Sequence, residues 1–159
     1  MGVLQRCASA RQRSQRGVVA LEFALVFLFG MLPLLLLTVS GVLIFAAQQS
    51  LTLAAANGAR AALRHGTTGS IAERRQSACQ VAAQSMAWLL TFSGSTPDCT
   101  NAPIVVTSAT CDGVTCVTVA TSFDYDKHPF LPGTAIVYGW VLGRSLTSSA
   151  TVQLDSTDT

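Results

Sequence analysis

Glu22 is the side chain whose position most needs an explanation, because its carboxylate lies near the start of an apolar run that continues to Ala47. A carboxylate held in the middle of a bilayer costs roughly 2.5–3.5 kcal/mol. Gly17 lies five residues before it, after the basic Arg16, and the aromatic Phe23 follows it. One explanation is that Glu22 only marks the edge of an ordinary span from Phe23 to Ala47. The other is that the carboxylate has a specific role that justifies its cost.

The sequence contains no recognisable catalytic or cofactor constellation. We find no Ser, His and Asp set at a known spacing, no nucleophile elbow, no P-loop and no glycine-rich dinucleotide motif. His65 and His128 are expected to be surface residues, and Asp124 with Asp126 lacks the further ligands that a calcium loop needs. The larger aromatic residues are expected in the core rather than in a binding cage: Trp88, Phe92, Tyr138 and Trp140. We therefore expect no catalytic residue, no metal site and no cofactor.

The charges are distributed unevenly along the chain. Four of the ten basic residues precede Gly17, and they are Arg6, Arg11, Arg13 and Arg16. The remaining six basic and eight acidic side chains leave the rest of the chain mildly acidic, so the clustered basic face of a nucleic-acid-binding domain is not expected. Because cytoplasmic segments retain Lys and Arg, this asymmetry predicts a cytoplasmic N-terminus and an exported C-terminal domain.

The exported part holds an even number of cysteines, which favours disulfides in an oxidising compartment, whereas Cys7 lies before the apolar run. Four cysteines allow three pairings, and the sequence alone does not choose among them. We favour Cys111 with Cys116, which would close a short loop over the turn-forming Asp-Gly pair, and Cys79 with Cys99. A zinc site is the competing interpretation, but no C-x-x-C pair is present.

A long helix is predicted first. Residues 18–47 would measure about 45 Å as a helix, which exceeds a hydrocarbon core of about 30 Å, and Pro33 predicts a kink within it. The helical pattern continues without a breaker to His65. In this second half, which is rich in small residues, one stripe at helical spacing holds Leu51, Ala55, Gly58 and Ala62. Such a stripe permits close approach to a neighbouring element.

A second helix and a small sheet are predicted to follow. Ser70 and Glu73 form a capping box that begins a helix over 70–91. The hydrophobic period then changes to two, which predicts strands at 104–109, 114–123 and 146–154. In the middle strand Val117, Val119, Thr121 and Phe123 share one face. The apolar stretch 135–143 fits either a strand or a short helix.

The segment QRGVVALEFALV at 15–26 resembles the processing site of class III prepilin-like proteins, specifically the TadE-like pseudopilins of tight-adherence (Tad, or Flp) pilus systems. The resemblance implies that a prepilin peptidase cuts between Gly17 and Val18. Glu22 then becomes the fifth residue of the mature chain, followed by Phe23. The alanine-rich stretch with GAR at 58–60 also resembles this family, and the FDY, FLPG and SLTSSATVQ segments resemble its C-terminal half more loosely.

The resemblance implies an α+β, pilin-like fold, with a long N-terminal transmembrane helix, a second helix and a small antiparallel β-sheet. We expect a cytoplasmic leader at 1–17, a transmembrane part at 18–47 and a periplasmic domain at 48–159. The expected function is that of a structural minor pilin in the bacterial inner membrane, not an enzyme. Its expected partners are the prepilin peptidase, other pilins and the Tad inner-membrane assembly platform. The alternatives are a signal-anchored binding module, and a secreted protein cut after Ala47.

Overall fold

The computed structural model describes residues 17–64, 70–134, 136, 138–139 and 145–154. Most of the predicted leader, Cys7, His65 and Trp140 therefore lie outside the described residues. Helix α1 spans Gly17–Leu63, a continuous helix of 47 residues. It ends two residues earlier than the sequence pattern predicted.

A π-helical turn at Phe27–Met31 interrupts the α-helical geometry of α1 directly before Pro33. Proline has no backbone N–H, so the carbonyl one turn earlier loses its usual donor. A wider π-helical turn is one way for a helix to accommodate such a break. The π-helical turn ends two residues before Pro33, the residue at which the sequence predicts a kink.

The chain divides into two compact units, one up to Gly41 and one from Val42 onward. The first unit contains the apolar part of α1, whose large side chains are exposed. The second unit contains the rest of α1 and the folded domain, which provides most of the buried core. The core and its contacts described below belong to this second unit.

Helix α2, Ile71–Ser85, begins with the capping box that the sequence predicted. Glu73 N–H donates to Ser70 Oγ at 3.3 Å, and Ser70 N–H donates to Glu73 Oε2 at 2.9 Å. The predicted single helix over 70–91 is wrong in one respect, because Met86 leaves helical geometry at φ −115°, ψ 22°. A second helix, α3, then spans Ala87–Ser93 and ends at Gly94, whose φ of 64° favours glycine.

Three strands form an antiparallel meander in the order β1-β2-β3: Ile104–Cys111, Val114–Asp124 and Ser145–Leu154. The turn between β1 and β2 is Asp112-Gly113, with φ of 51° and 84°. Two successive positive φ values are typical of the tight hairpin turns that Asp-Gly favours. All three predicted strands and the inward face of the middle one are confirmed. The described residues of the ambiguous stretch, Ile136, Tyr138 and Gly139, are helical.

The core lies between α1, α2 and the inner face of the sheet, and Gly58 is at its narrowest point. A Cβ added there would lie 2.9 Å from Ala78 O and 3.2 Å from Val119 Cγ1. The buried Thr121 Oγ1 donates to Leu51 O at 3.0 Å, which ties β2 to α1. The predicted stripe of α1 therefore packs within its own domain, since Leu51, Ala55, Gly58 and Ala62 are buried.

Candidate functional site

The candidate site is the beginning of α1, where Gly17, Val18, Glu22 and Phe23 all belong to one helix. Val18 is 63% exposed and Phe23 is 71% exposed. A Cβ added to Gly17 would meet nothing within 4 Å among the described residues. Gly17 is therefore not required for packing within this part of the chain, in contrast to Gly58. A glycine that packing does not demand is consistent with a requirement imposed by another molecule.

Glu22 is exposed on the same helix and has no ion-pair partner among the described residues. The sequence from Gly17 to Ala59 contains no Lys, Arg or His, so no side chain of this segment could neutralise it. Phe23 stacks on Phe27 one turn later, with ring centroids 6.4 Å apart. Among the described residues, the site thus presents an unpaired carboxylate next to two stacked phenylalanine rings.

The apolar surface that follows Glu22 has no cover within the described chain. None of the most apolar stretch of Gly17–Leu63 is buried. A helix of this length and composition is long enough to cross a bilayer. Large exposed apolar surfaces are rare on soluble monomers, so this one indicates a surface for contact with lipid or other protein.

The structure joins Cys79 to Cys99 and Cys111 to Cys116, which is the pairing that the sequence analysis favoured. Cys111 ends β1, and Cys116 lies diagonally across the hairpin, where it pairs with Ala109. Cys79 lies on α2 and is buried, so its bond attaches the loop before β1 to the helix. Both disulfides therefore constrain the sheet.

Within the described part of the chain, the other polar residues do not assemble into a second site. Asp124 pairs with Lys127 at 2.9 Å, and this hydrogen bond lowers the pKa of Asp124. The carboxylate thus has a local structural partner, and the described residues contain no group of three or more metal ligands. His128 lies 6.5 Å from the ring of Phe123 in a loop.

Two expectations about the aromatic residues are corrected. Trp88 is 42% exposed and Phe92 is 46% exposed, whereas the sequence predicted them in the core. The helix break at Met86 changes the rotation of the residues that follow, so the hydrophobic period of α2 does not predict which side chains are buried in α3. Tyr138 does pack against the core, as predicted.

Sequence reasoning missed the two arginines of α2. Arg75 donates from Nε and Nη2 to Val106 O at 3.1 and 2.8 Å. Arg74 Nη1 donates to Ala62 O at 3.2 Å, near the end of α1. Helical arginines normally indicate a solvated face, so only the tertiary arrangement shows that these two hold β1 and α1.

Taken together, the fold and the site define a class of α+β protein that has a long apolar N-terminal helix with a carboxylate near its start, followed by a small domain with a three-stranded antiparallel sheet. Comparison with protein families narrows this class. The family model described as "TadE-like protein" matches residues 17–60, so this segment of the chain is TadE-like and the resemblance inferred from the sequence is confirmed. The match covers 44 of the 159 residues, so it shows the resemblance of this segment. Neither the curated proteins nor the solved structures yielded a match to the chain.

Proposed function

We propose that this chain is a minor pilin of a Tad-type pilus or related secretion filament, and that it helps to initiate, prime or cap that filament. The observation that carries the proposal is the TadE-like match, which begins at Gly17 and includes Glu22. The exposed apolar helix and the disulfide-linked domain support it. The size of the domain favours a minor role, because 159 minus 47 leaves 112 residues beyond Ala47.

Processing is the first step of the proposal. A prepilin peptidase removes the leader 1–17 by cutting the bond between Gly17 and Val18. A glycine lets the enzyme approach the scissile carbonyl closely, because it has no side chain. The free space around Gly17 supports this assignment over a packing role.

The membrane arrangement is the second step. Residues 18–47 span the inner membrane with the N-terminus in the cytoplasm, and 48–159 form a periplasmic domain. The four arginines before Gly17, and the lack of any basic residue between it and Arg60, support this orientation. The Tad assembly platform and other pilins are the proposed partners in the same membrane.

Assembly is the third step. Cleavage creates a positively charged amine on Val18, and an unpaired charge near the bilayer is expensive. When subunits stack, Glu22 of one subunit meets the new amine of its neighbour, which neutralises both charges and sets the axial register. The lack of a partner for Glu22 within the described residues supports an intermolecular role.

Replacement of Glu22 tests this step. Glu22→Val is expected to leave membrane insertion intact and to abolish incorporation into filaments, because the amine of the neighbour then lacks its anion. Leu21→Val is the matched control, since Leu21 is 64% exposed on the same turn and carries no charge. Sheared filaments and membranes are compared by immunoblotting. Normal incorporation of Glu22→Val would refute the charge-pairing role.

A further substitution tests the processing step by itself. Gly17→Trp is expected to block cleavage, because the indole would occupy the space that the peptidase needs. Intact mass measurement of the membrane-bound chain distinguishes the cut from the uncut form. Recovery of this variant with Val18 at its N-terminus would show that the size of the residue at position 17 does not matter.

A further inference from the structure

Trp88, Phe92 and Phe130 form a half-exposed surface on the domain, which we call the aromatic patch. The ring centroids of Trp88 and Phe130 lie 6.0 Å apart, and those of Phe92 and Phe130 lie 5.1 Å apart. Phe123 and Tyr125 support Phe130 from below and are themselves buried. The patch therefore contacts the core through Phe130, while the rings of Trp88 and Phe92 remain partly exposed to solvent.

Contacts along α1 locate the patch at one end of the domain. Helices α2 and α3 run antiparallel to α1, so later residues of α2 and α3 contact earlier residues of α1. The contacts that show this are Arg74 with Ala62, Ala78 and Ala82 with Gly58, Ser85 with Asn57, and Trp88 with Ser50. Phe92 comes one helical turn after Trp88. The patch thus lies where α1 enters the domain.

The beginning of strand β3 lies at the same end of the domain. Gln48 Nε2 donates to Thr147 O at 3.4 Å, close to the beginning of the strand. Ile44 and Ala47 are buried in the core, which shows that the domain begins at this level of the helix. Ser50, the partner of Trp88, lies three residues after Ala47, or about 4.5 Å along a helix.

The chemistry of the patch matches the boundary between lipid and water. Trp88 combines an apolar ring with an N–H that donates to Ser50 Oγ at 3.0 Å. Such amphipathic rings concentrate at the headgroup level of membranes. The loop that carries Phe130 also carries Lys127, which pairs with Asp124 at 2.9 Å but is 76% exposed and long enough to reach lipid phosphates.

We propose that the aromatic patch rests on the phospholipid surface of the membrane that α1 crosses, and so fixes the height and tilt of the domain before assembly. We favour the membrane as the partner of the patch, because the patch lies about one helical turn from the end of the predicted transmembrane span at Ala47. This inference rests on membrane insertion by α1, which is part of the proposed function, but needs neither cleavage nor a filament.

Fluorescence of Trp88 in lipid bilayers tests the inference. The full, uncut chain with Trp140→Phe contains Trp88 as its only tryptophan. It is reconstituted at low density into phosphatidylethanolamine and phosphatidylglycerol vesicles that carry a doxyl quencher at acyl carbon 5 or 16. Trp88 emission is expected to shift to the blue and to be quenched more strongly by the shallow label. Insertion of α1 is checked separately by resistance to alkaline extraction.

The matched control is Trp88→Phe, which reports the emission of Trp140 alone in the same vesicles. Two results would overturn the inference for a properly inserted chain. Quenching by aqueous iodide without quenching by either lipid label would show that the patch faces water. Protection from both quenchers that grows with protein density would show that a neighbouring subunit covers it. Neither result depends on cleavage after Gly17, so this inference and the processing step fail independently.

Discussion

Replacement of Gly58 by alanine is the substitution whose effect the structure defines most closely. The new Cβ would lie 2.9 Å from Ala78 O, 3.1 Å from Ala82 Cβ and 3.2 Å from Val119 Cγ1. The first of these atoms belongs to the backbone of α2, so the helix itself must move. Overpacking of this kind typically costs about 1–3 kcal/mol.

A gain in helix propensity opposes this cost. Alanine is favoured over glycine in a helix interior by about 1 kcal/mol. Because contacts form with α2 and β2 at once, we place the packing cost in the upper half of its range, and the net loss at about 1–2 kcal/mol. For a domain of about 100 residues, a loss of 1 kcal/mol lowers Tm by roughly 4 °C. Gly58→Ala is therefore expected to unfold at least about 4 °C earlier.

Thermal unfolding followed by near-ultraviolet circular dichroism in detergent measures this shift. Gly30→Ala is the matched control, because it adds the same methyl group to a glycine of the same helix that has nothing within 4 Å among the described residues. The control is expected to leave the domain transition unchanged. A Gly58→Ala protein that unfolds at or above the wild-type temperature would refute the close-packing argument.

Three further predictions concern the domain. Replacing Cys79 and Cys99 by serine removes a cross-link spanning 20 residues and is expected to cost about 3 kcal/mol, measured by urea unfolding; an unchanged midpoint would contradict it. Arg75→Met removes both donors to Val106 O and is expected to lower the free energy of unfolding by about 1.5–3 kcal/mol. It should also promote aggregation through the exposed edge of β1, measured by light scattering. Arg75→Lys, which keeps one donor, should lose less stability. Hydrogen bonds, chiefly from the side chain and N–H of Asn101, lower the pKa of Asp98 from 3.8 to about 2. The folded form binds this proton less readily than the unfolded form, so the stabilisation is present above pH 3.8 and is lost as the pH falls through 2. Asp98→Asn should weaken the drop in Tm between pH 5 and pH 2, and an identical drop in both proteins would contradict this.

The sheet could be predicted because its evidence is local. Alternation of side chains in 114–123 and 146–154 defines which face is buried, and Asp112-Gly113 defines the hairpin between β1 and β2. The capping box likewise fixed the start of α2. The break at Met86 could not be predicted, because residues 80–92 contain no glycine or proline to mark it.

The candidate site could be recognised from the sequence for a different reason. Gly17 and Glu22 stand out because a charge and a glycine are unusual at the start of a long apolar run, which needs no tertiary information. The roles of Arg74 and Arg75 depend on contacts with distant carbonyls and carry no local signal. The exposed aromatic patch was missed because Trp88 and Phe92 lie after the helix break, where the periodicity of α2 does not predict the buried face, and Phe130 lies in a loop.

The central claim is that cleavage creates the amine that Glu22 neutralises in a neighbouring subunit. The most direct measurement is the intact mass, with N-terminal sequencing, of the chain recovered from assembled filaments and from the membrane fraction. The account predicts that the filament-associated chain begins at Val18. Filaments that contain a chain beginning at Met1 would contradict it and favour a signal-anchored module, whereas a chain beginning at Gln48 would identify a secreted protein.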